Sequence, residues 1–279
     1  MAFRDILLLT DDHSACERRT AAAIDLALRS GAHLVGLRLL SMPSVPGFVA
    51  AQMPAAVREA QQTIDRAAAA QARQRFEEAA RRAGLSYEWR DVPVESGHGA
   101  EPISLQARYA DLLIVGQSDD EATAEERALV ETLLVACGRP VLVIPSIGAP
   151  PGFGRKPIVA WDARREAARA VNDALPLLIA ADEVEVVTVN ARAGRGGHGA
   201  EPGADIARHL ARHGVKVKLA QLSSGPLSVG DLLLNRVADQ GVDLIVMGAY
   251  AHSRLRDLVL GGVTKHMLKH MTVPILTAH

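Results

Sequence analysis

The sequence predicts an α/β protein of two tandem domains, each a doubly wound, five-stranded and mostly parallel sheet. Three observations carry that prediction. Short apolar runs rich in Ile, Val and Leu alternate with helical segments, the pattern of strands buried on both faces and joined by crossover helices. The alternation then occurs a second time: ADLLIVGQ at Ala110–Gln117 corresponds to VDLIVMGA at Val242–Ala249, and GRPVLVIP at Gly138–Pro145 to MTVPILTAH at Met271–His279. One unit is therefore present twice. Between the copies, SIGAPPGFGRKP at Ser146–Pro157 can continue neither strand nor helix and suits a linker. The domains are expected at 1–146 and 155–279, with the boundary near Pro151, and 279 residues suit two cores better than one.

In the first copy the apolar runs predict strands at Asp5–Thr10, His33–Leu40, Tyr87–Pro93, Leu112–Gly116 and Pro140–Ile144. The first helix, Ser14–Arg29, opens with Ser14 and Glu17 at capping-box spacing and is closed by Gly31. A long loop, Ser41–Pro54, follows the second strand; its Phe48, Val49 and Met53 either pack on their own domain or form a lid or partner contact. Pro54–Ala83, dense in Ala, Arg, Glu and Gln, has strong helical propensity. Helices at Gly99–Tyr109 and Thr123–Ala136 complete the copy, the last with Thr123 and Glu126 at capping-box spacing. The second copy repeats the order with strands at Pro157–Trp161, Glu183–Asn190, Val215–Leu222, Leu244–Gly248 and Pro274–Ala278.

Composition narrows the functions. Hydrophobic residues at 48% and charged residues at 23% supply real cores and argue against disorder. Aromatics at 3% offer few stacking platforms, and a net charge of −1 gives no general attraction to nucleic acid or anionic lipid, so neither partner is expected. MAFRDILLLTDDHSA places charges beside its short apolar run, which fits neither a signal peptide nor a spanning helix. Cys16 and Cys137 lie far apart in sequence, against a disulfide framework or structural zinc site, and a cytoplasmic setting is expected. His266 and His270 have the helical spacing that can share a metal, but no third ligand accompanies them; the reading preferred is cations offsetting a helix C-terminus.

In open parallel sheets ligands sit outside the carboxyl ends of the strands. In the second copy the first strand ends at Asp162, a carboxylate placed either to accept hydrogen bonds from a ribose or base or to cap a helix. The fourth strand runs into MGAYAHSRLRDLVLGGVTKHML, where Gly248 lets the backbone approach a ligand and Gly261–Gly262 open a helix whose N–H groups suit an anion. Arg254, Arg256 and Lys265 flank this loop against Asp257, a balance that favours an anion. Tyr250 either lines an adenine or packs on the sheet.

This segment resembles the signature of the universal stress protein family: Gly, two residues, Gly, nine residues, Gly, then Ser or Thr. Gly248 and Gly261 keep the first and third glycines at the family spacing, while Ala251 replaces the second and Gly262 the Ser or Thr. The resemblance covers essentially the whole chain and implies an adenine nucleotide alpha hydrolase-like fold. It also implies that the second domain binds ATP, with Mg, or a related adenine nucleotide. Asp162 and the backbone near Val189 would take the adenosine, with Gly248, Ala251, Gly261 and Gly262 around ribose and phosphates. It further implies a stress-response or regulatory role without rapid turnover, and an intramolecular pseudo-dimer formed through the two last strands. The final strand, read as an edge, leaves room for a further homodimer. Ala251 adds a methyl to the pocket, and Gly262 removes one phosphate hydrogen bond of about 0.5–1.5 kcal/mol. Members lacking the motif make a nucleotide-free interaction module the alternative.

In the first copy, Asp11 and Gly116 match the motif, but the rest reads QSDDEATAEERALVETLL. Asp119, Asp120, Glu121, Glu125 and Glu126 crowd the phosphate position, each like charge costing about 1 kcal/mol or more near ~4 Å. Thr123 and Glu126 would close the helix on itself, and this copy is expected not to bind ATP. GRGGHG at Gly194–Gly199 satisfies a dinucleotide pattern but follows the second strand of its copy rather than the first, and a flexible loop is preferred, though Arg192 and Arg195 beside it remain within reach of a phosphate. With no nucleophile–base pair, nucleophile elbow or P-loop, catalysis is not predicted.

Overall fold

The computed structural model describes residues 2–42, 55–95, 99–118, 122–195, 198–249 and 261–279. The loop with Phe48, Val49 and Met53, the acids Asp119, Asp120 and Glu121, and the segment holding Tyr250, Ala251, Arg254, Arg256 and Asp257 lie outside the described residues.

In chain order the first half contains β1 (Asp5–Thr10), α1 (Cys16–Ser30), β2 (His33–Met42), α2 (Ala55–Arg82), β3 (Tyr87–Glu95), α3 (Ala100–Ala107), β4 (Leu112–Gly116), α4 (Ala124–Ala136) and β5 (Val141–Ile144). The second half follows with β6 (Pro157–Ala160), α5 (Arg165–Ala180), β7 (Val184–Val189), α6 (Ala204–Arg212), β8 (Val217–Leu222), α7 (Val229–Gln240), β9 (Leu244–Gly248), α8 (Gly262–His270) and β10 (Ile275–Ala278).

All ten strands form one sheet in the order β3-β2-β1-β4-β5-β10-β9-β6-β7-β8. Each half is parallel within itself, and the halves meet where β5 and β10 pair antiparallel, Leu142 opposite Leu276. The last strands of the two copies thus join them. The edge expected at the final strand does not exist, because β10 lies between β5 and β9 and both its sides are hydrogen-bonded. The free edges are β3 and β8, so the homodimer argument drawn from β10 fails.

Alternation along the strands explains the two helical layers. Ile6 and Leu8 face one side with Leu26 of α1, Phe76 of α2 and Leu178 of α5. Leu7 and Leu9 face the other with Ile103, Leu133, Leu233 and Met267 from α3, α4, α7 and α8. The repeat extends to single hydrogen bonds. Asp111, just before β4, accepts from the backbone N–H of Arg4 and Asp5 at 2.7 and 3.1 Å; Asp243, just before β9, accepts from Arg155 and Lys156 at 2.9 Å each.

Two local expectations meet different fates. Gly31 closes α1 in the left-handed conformation, φ 62°, and Thr123 and Glu126 form a reciprocal capping box on α4. The Ser14–Glu17 box does not form: the N-cap of α1 is Ala15 in helical conformation, and Cys16 N–H bonds His13 O, a tight turn that starts the helix without a side-chain cap. The linker is docked rather than loose. Phe153 is buried beneath the Arg29 guanidinium, 5.3 Å from the ring centroid, while Gly152 N–H donates to Asp25 and Arg18 donates to Ser146 O.

Candidate functional site

The sheet presents its carboxyl rim once in each half. In the second, Ala160 of β6 pairs with Met247 of β9 and Val187 of β7, so Asp162, Gly248 and Val189 stand together at adjacent strand ends. In the first, Ile114 of β4 pairs with Leu8 and Thr10 with Arg38, which brings Asp11, Gly116 and the β2 end together.

Both aspartates make the same turn: Asp11 Oδ1 accepts from His13 N–H and Asp162 Oδ1 from Arg164 N–H, each at 3.1 Å. The bond holds the chain between strand and helix; the N-cap of α5 is Arg164, so Asp162 does not cap that helix. The second oxygens differ. Asp11 Oδ2 accepts from Arg19 at 2.7 Å, and the Arg19 side chain is 4% exposed. Eight residues beyond Asp162 stands Ala170, which supplies no guanidinium from that position; Asp162 Oδ2 is instead ion-paired with Arg164 Nε at 3.7 Å, and its side chain is 48% exposed.

The glycines ending the fourth strands face different neighbours. A Cβ at Gly116 would lie on the Arg19 guanidinium. At Gly248 it would lie 2.6 Å from the backbone nitrogen of Ala167. The backbone was expected to approach a ligand at Gly248; what lies against it is the first turn of α5. Glu166 in that turn is buried; burial pushes its carboxyl up, but the hydrogen bond from Arg165 and the local backbone bring it net below the usual carboxylate value.

The helix N-termini at the two rims also diverge. On α4, Thr123 Oγ1 accepts from Glu126 N–H at 3.2 Å, and Glu126 accepts in return from Thr123 N–H at 2.7 Å. His13 stands 2.9 Å from the same carboxylate. Its hydrogen bond, followed by that of the Thr123 backbone, holds Glu126 below the ordinary glutamate range. On α8, Gly261 is the N-cap and has no side chain to close the turn; among the described residues a Cβ at Gly261 or Gly262 would meet nothing within 4 Å. Gly262 is exposed.

A cavity of about 760 Å³ opens at the first rim, lined by Thr10, Asp11, Asp12, Arg19, Arg38 and Glu126 among others, over an apolar floor. Sequence reasoning missed its two arginines. Arg38 on β2 donates to both oxygens of Asp12, at 2.9 and 2.6 Å. A basic residue mid-strand beside two consecutive acids was the available signal. Gln117 was also missed: its amide donates to Leu268 O and Lys269 O at 3.0 Å each, tying the first rim to the C-terminal end of α8.

The weaker sequence signals resolve as structure. Gly194 N–H bonds Gly199 O at 2.9 Å, so that loop closes on itself before α6 begins at Ala204. His266 lies 2.9 Å from Asp231, and its ring packs at a tilt against His270, centroids 4.7 Å apart. Among the described residues no group of three His, Cys, Asp or Glu side chains could hold a metal. Both cysteines are free, and burial raises the Cys137 thiol pKa. No helix among the described residues is long and apolar enough to cross a membrane.

A model of the universal stress protein family matches residues 2–145 and again 155–279. The crystal structure of a universal stress protein from Archaeoglobus fulgidus DSM 4304 superposes with a TM-score of 0.70 at 16% identity, covering 98% of this chain and 97% of that one. A Pseudomonas aeruginosa PAO1 protein described as functionally unknown gives a TM-score of 0.59, also at 16% identity, over 99% and 92% of the two chains. Universal stress protein Slr1230 of Synechocystis is 46% identical over 39 residues, a stretch spanning 14% of this chain and 14% of that protein.

Proposed function

The chain belongs to the universal stress protein family, and from that premise we propose that its second domain binds an adenine nucleotide, ATP with Mg in the first instance, and holds it without rapid turnover in a regulatory role. The observation that carries the reading is the N-terminus of α8, which begins on Gly261–Gly262 without a side-chain cap, on the same sheet rim as the half-exposed carboxylate of Asp162. In this reading Asp162 and the backbone near Val189 receive the adenosine. Gly261 and Gly262 offer their N–H groups to phosphate, and Gly248 fixes the floor by admitting α5. Ala251 belongs to the proposed site by its place in the motif. No side-chain pair is assigned to bond cleavage, and the free thiols fit a cytoplasmic setting.

Calorimetric titration of Mg-ATP into protein freed of co-purified nucleotide tests this. One site is expected, weakened by Asp162→Ala, abolished by Gly261→Glu, and unchanged by Glu125→Gln in the first domain. The alternative, a nucleotide-free interaction module, is favoured by one specific observation: the open face of Gly248 is already filled by the α5 backbone. Absence of heat together with absence of co-purified nucleotide selects that alternative.

A further inference from the structure

We propose that the first domain sets the second domain's nucleotide site from the opposite rim: Gln117 holds the C-terminus of α8 and thereby positions the Gly261–Gly262 end of that helix. The inference rests on the adenine-nucleotide reading of the second rim and adds to it a positioning residue supplied by the other domain. The antiparallel seam makes the link possible. Ile275, which opens β10, lies opposite Val143 near the carboxyl end of β5, whereas Ala278 pairs with Gly248 at the second rim. Helix α8 starts beyond β9 and ends before β10, so it runs from the second rim toward the first, its nine residues spanning about 13 Å.

The last carbonyls of an α-helix find no partner within it. Gln117 directly follows Gly116, which pairs with Ile144 at the end of β5, and its Nε2 donates to the Leu268 and Lys269 carbonyls at 3.0 Å each. Its Oε1 accepts from Ser146 N–H at 3.0 Å, and its own backbone N–H donates to Ile144 O at 2.8 Å. The donor is therefore anchored in the first domain before it reaches α8. It also complements the negative end of the helix dipole. A helix this short does not hold together by itself in water. Fraying from its C-terminus lowers the fraction of molecules in which the N–H groups of the first turn are aligned, and apparent affinity falls with that fraction. The link has no counterpart at the equivalent position of the repeat, where Ala249 stands for Gln117 and has no side-chain donor to offer the C-terminus of α4. Gln117 also lines the first-rim cavity, so the strut that begins at the second rim ends in the pocket of the first.

The test uses the full chain and two variants. Gln117→Glu keeps an acceptor for Ser146 N–H but cannot donate to α8, and Gln117→Met removes both bonds. In nucleotide-free protein, both variants are expected to speed hydrogen exchange of the α8 amides about tenfold and that of the α4 amides about twofold at most. Mg-ATP affinity in calorimetry should fall at least about threefold in both. In the wild-type chain, saturating Mg-ATP should shift the NMR signals of the Gln117 side-chain amide, assigned by their loss in Gln117→Met; a merely structural bond at the seam would leave them in place. Unchanged α8 exchange, exchange raised equally in α4 and α8, faster α8 exchange with unaltered affinity, or an amide signal insensitive to bound Mg-ATP overturns the proposal. If the wild-type chain takes up no nucleotide, the reading of the second rim fails, and α8-selective exchange alone then upholds or overturns Gln117 as the holder of α8.

Discussion

Asp11 and Asp162 hold the same turn with the same 3.1 Å hydrogen bond, yet the surroundings of their second oxygens divide the two halves. In the first half, a helical arginine crosses to Asp11 and lies over Gly116, and α4 satisfies its own N-terminus. In the second half, alanine replaces that arginine, the helix itself packs on Gly248, and α8 begins on two glycines. The first copy ties its rim carboxylate to a buried arginine, whereas the second pairs its own with a half-exposed neighbour in the same turn. Divergence between the copies is therefore chiefly a matter of which hydrogen-bonding groups are already engaged, on a backbone that changes little.

Stability measurements can break this comparison, and the largest effect is expected at the aspartates. Asp11→Ala strands the buried Arg19 charge and should cost about 3 kcal/mol in denaturant unfolding, the range for breaking a buried pair. Asp162→Ala, at an exposed position, should stay within about 0.5 kcal/mol. Equal losses would show that Arg19 finds another partner. Next come the glycines. Gly248→Ala drives a methyl into the α5 backbone and should cost about 1–3 kcal/mol, as overpacking does, whereas Gly116→Ala meets only a side chain that can move and should cost less.

Smaller effects sharpen the contrast at the helix ends. Thr123→Ala should cost about 1 kcal/mol by removing the cap of α4. Gly261→Ser supplies the cap that α8 lacks and should gain a few tenths of a kcal/mol, roughly the Gly-to-Ser difference at an N-cap, while weakening Mg-ATP binding in calorimetry. The finest probe is the Glu126 carboxyl. Its pKa is held down in the fold, so its contribution to stability is present above the ordinary glutamate value and is lost as pH falls through the folded value. His13→Ala should move the NMR titration of Glu126 upward, since the His13 hydrogen bond is the largest cause of the lowering.

The sheet was legible because strands near its middle are buried on both faces and read as unbroken apolar runs, as LLIVG and LIVMG do. The capping box on α4 was legible too, since its partners lie within one turn. The same reasoning failed at Ser14, where Asp11 and the preceding turn set the chain direction and leave no extended residue at the helix start. Spacing alone does not reveal which of two possible cap positions the rest of the fold permits. The first-domain cavity was hidden for a related reason. Its acids were read as a local barrier to phosphate, but the burial of Arg19 and Arg38 depends on β1, β2 and β4 meeting, and no local pattern announces that. Gly248 was read as letting the backbone approach a ligand, and only the sheet packing identifies the first turn of α5 as what lies against it.

The antiparallel seam between β5 and β10 carries a consequence for how this protein can signal. Assemblies of separate subunits respond to mass action, and dilution or competition can exchange one partner for another. Here each copy is covalently supplied with its unlike neighbour, at an effective concentration set by a short, docked linker rather than by the cell. The stoichiometry of the two rims is fixed at one to one in every molecule. A ligand at either rim must therefore be read out through a change in shape, rigidity or exposed surface of an always-joined pair, because dissociation along this seam would require the protein to unfold part of its own sheet.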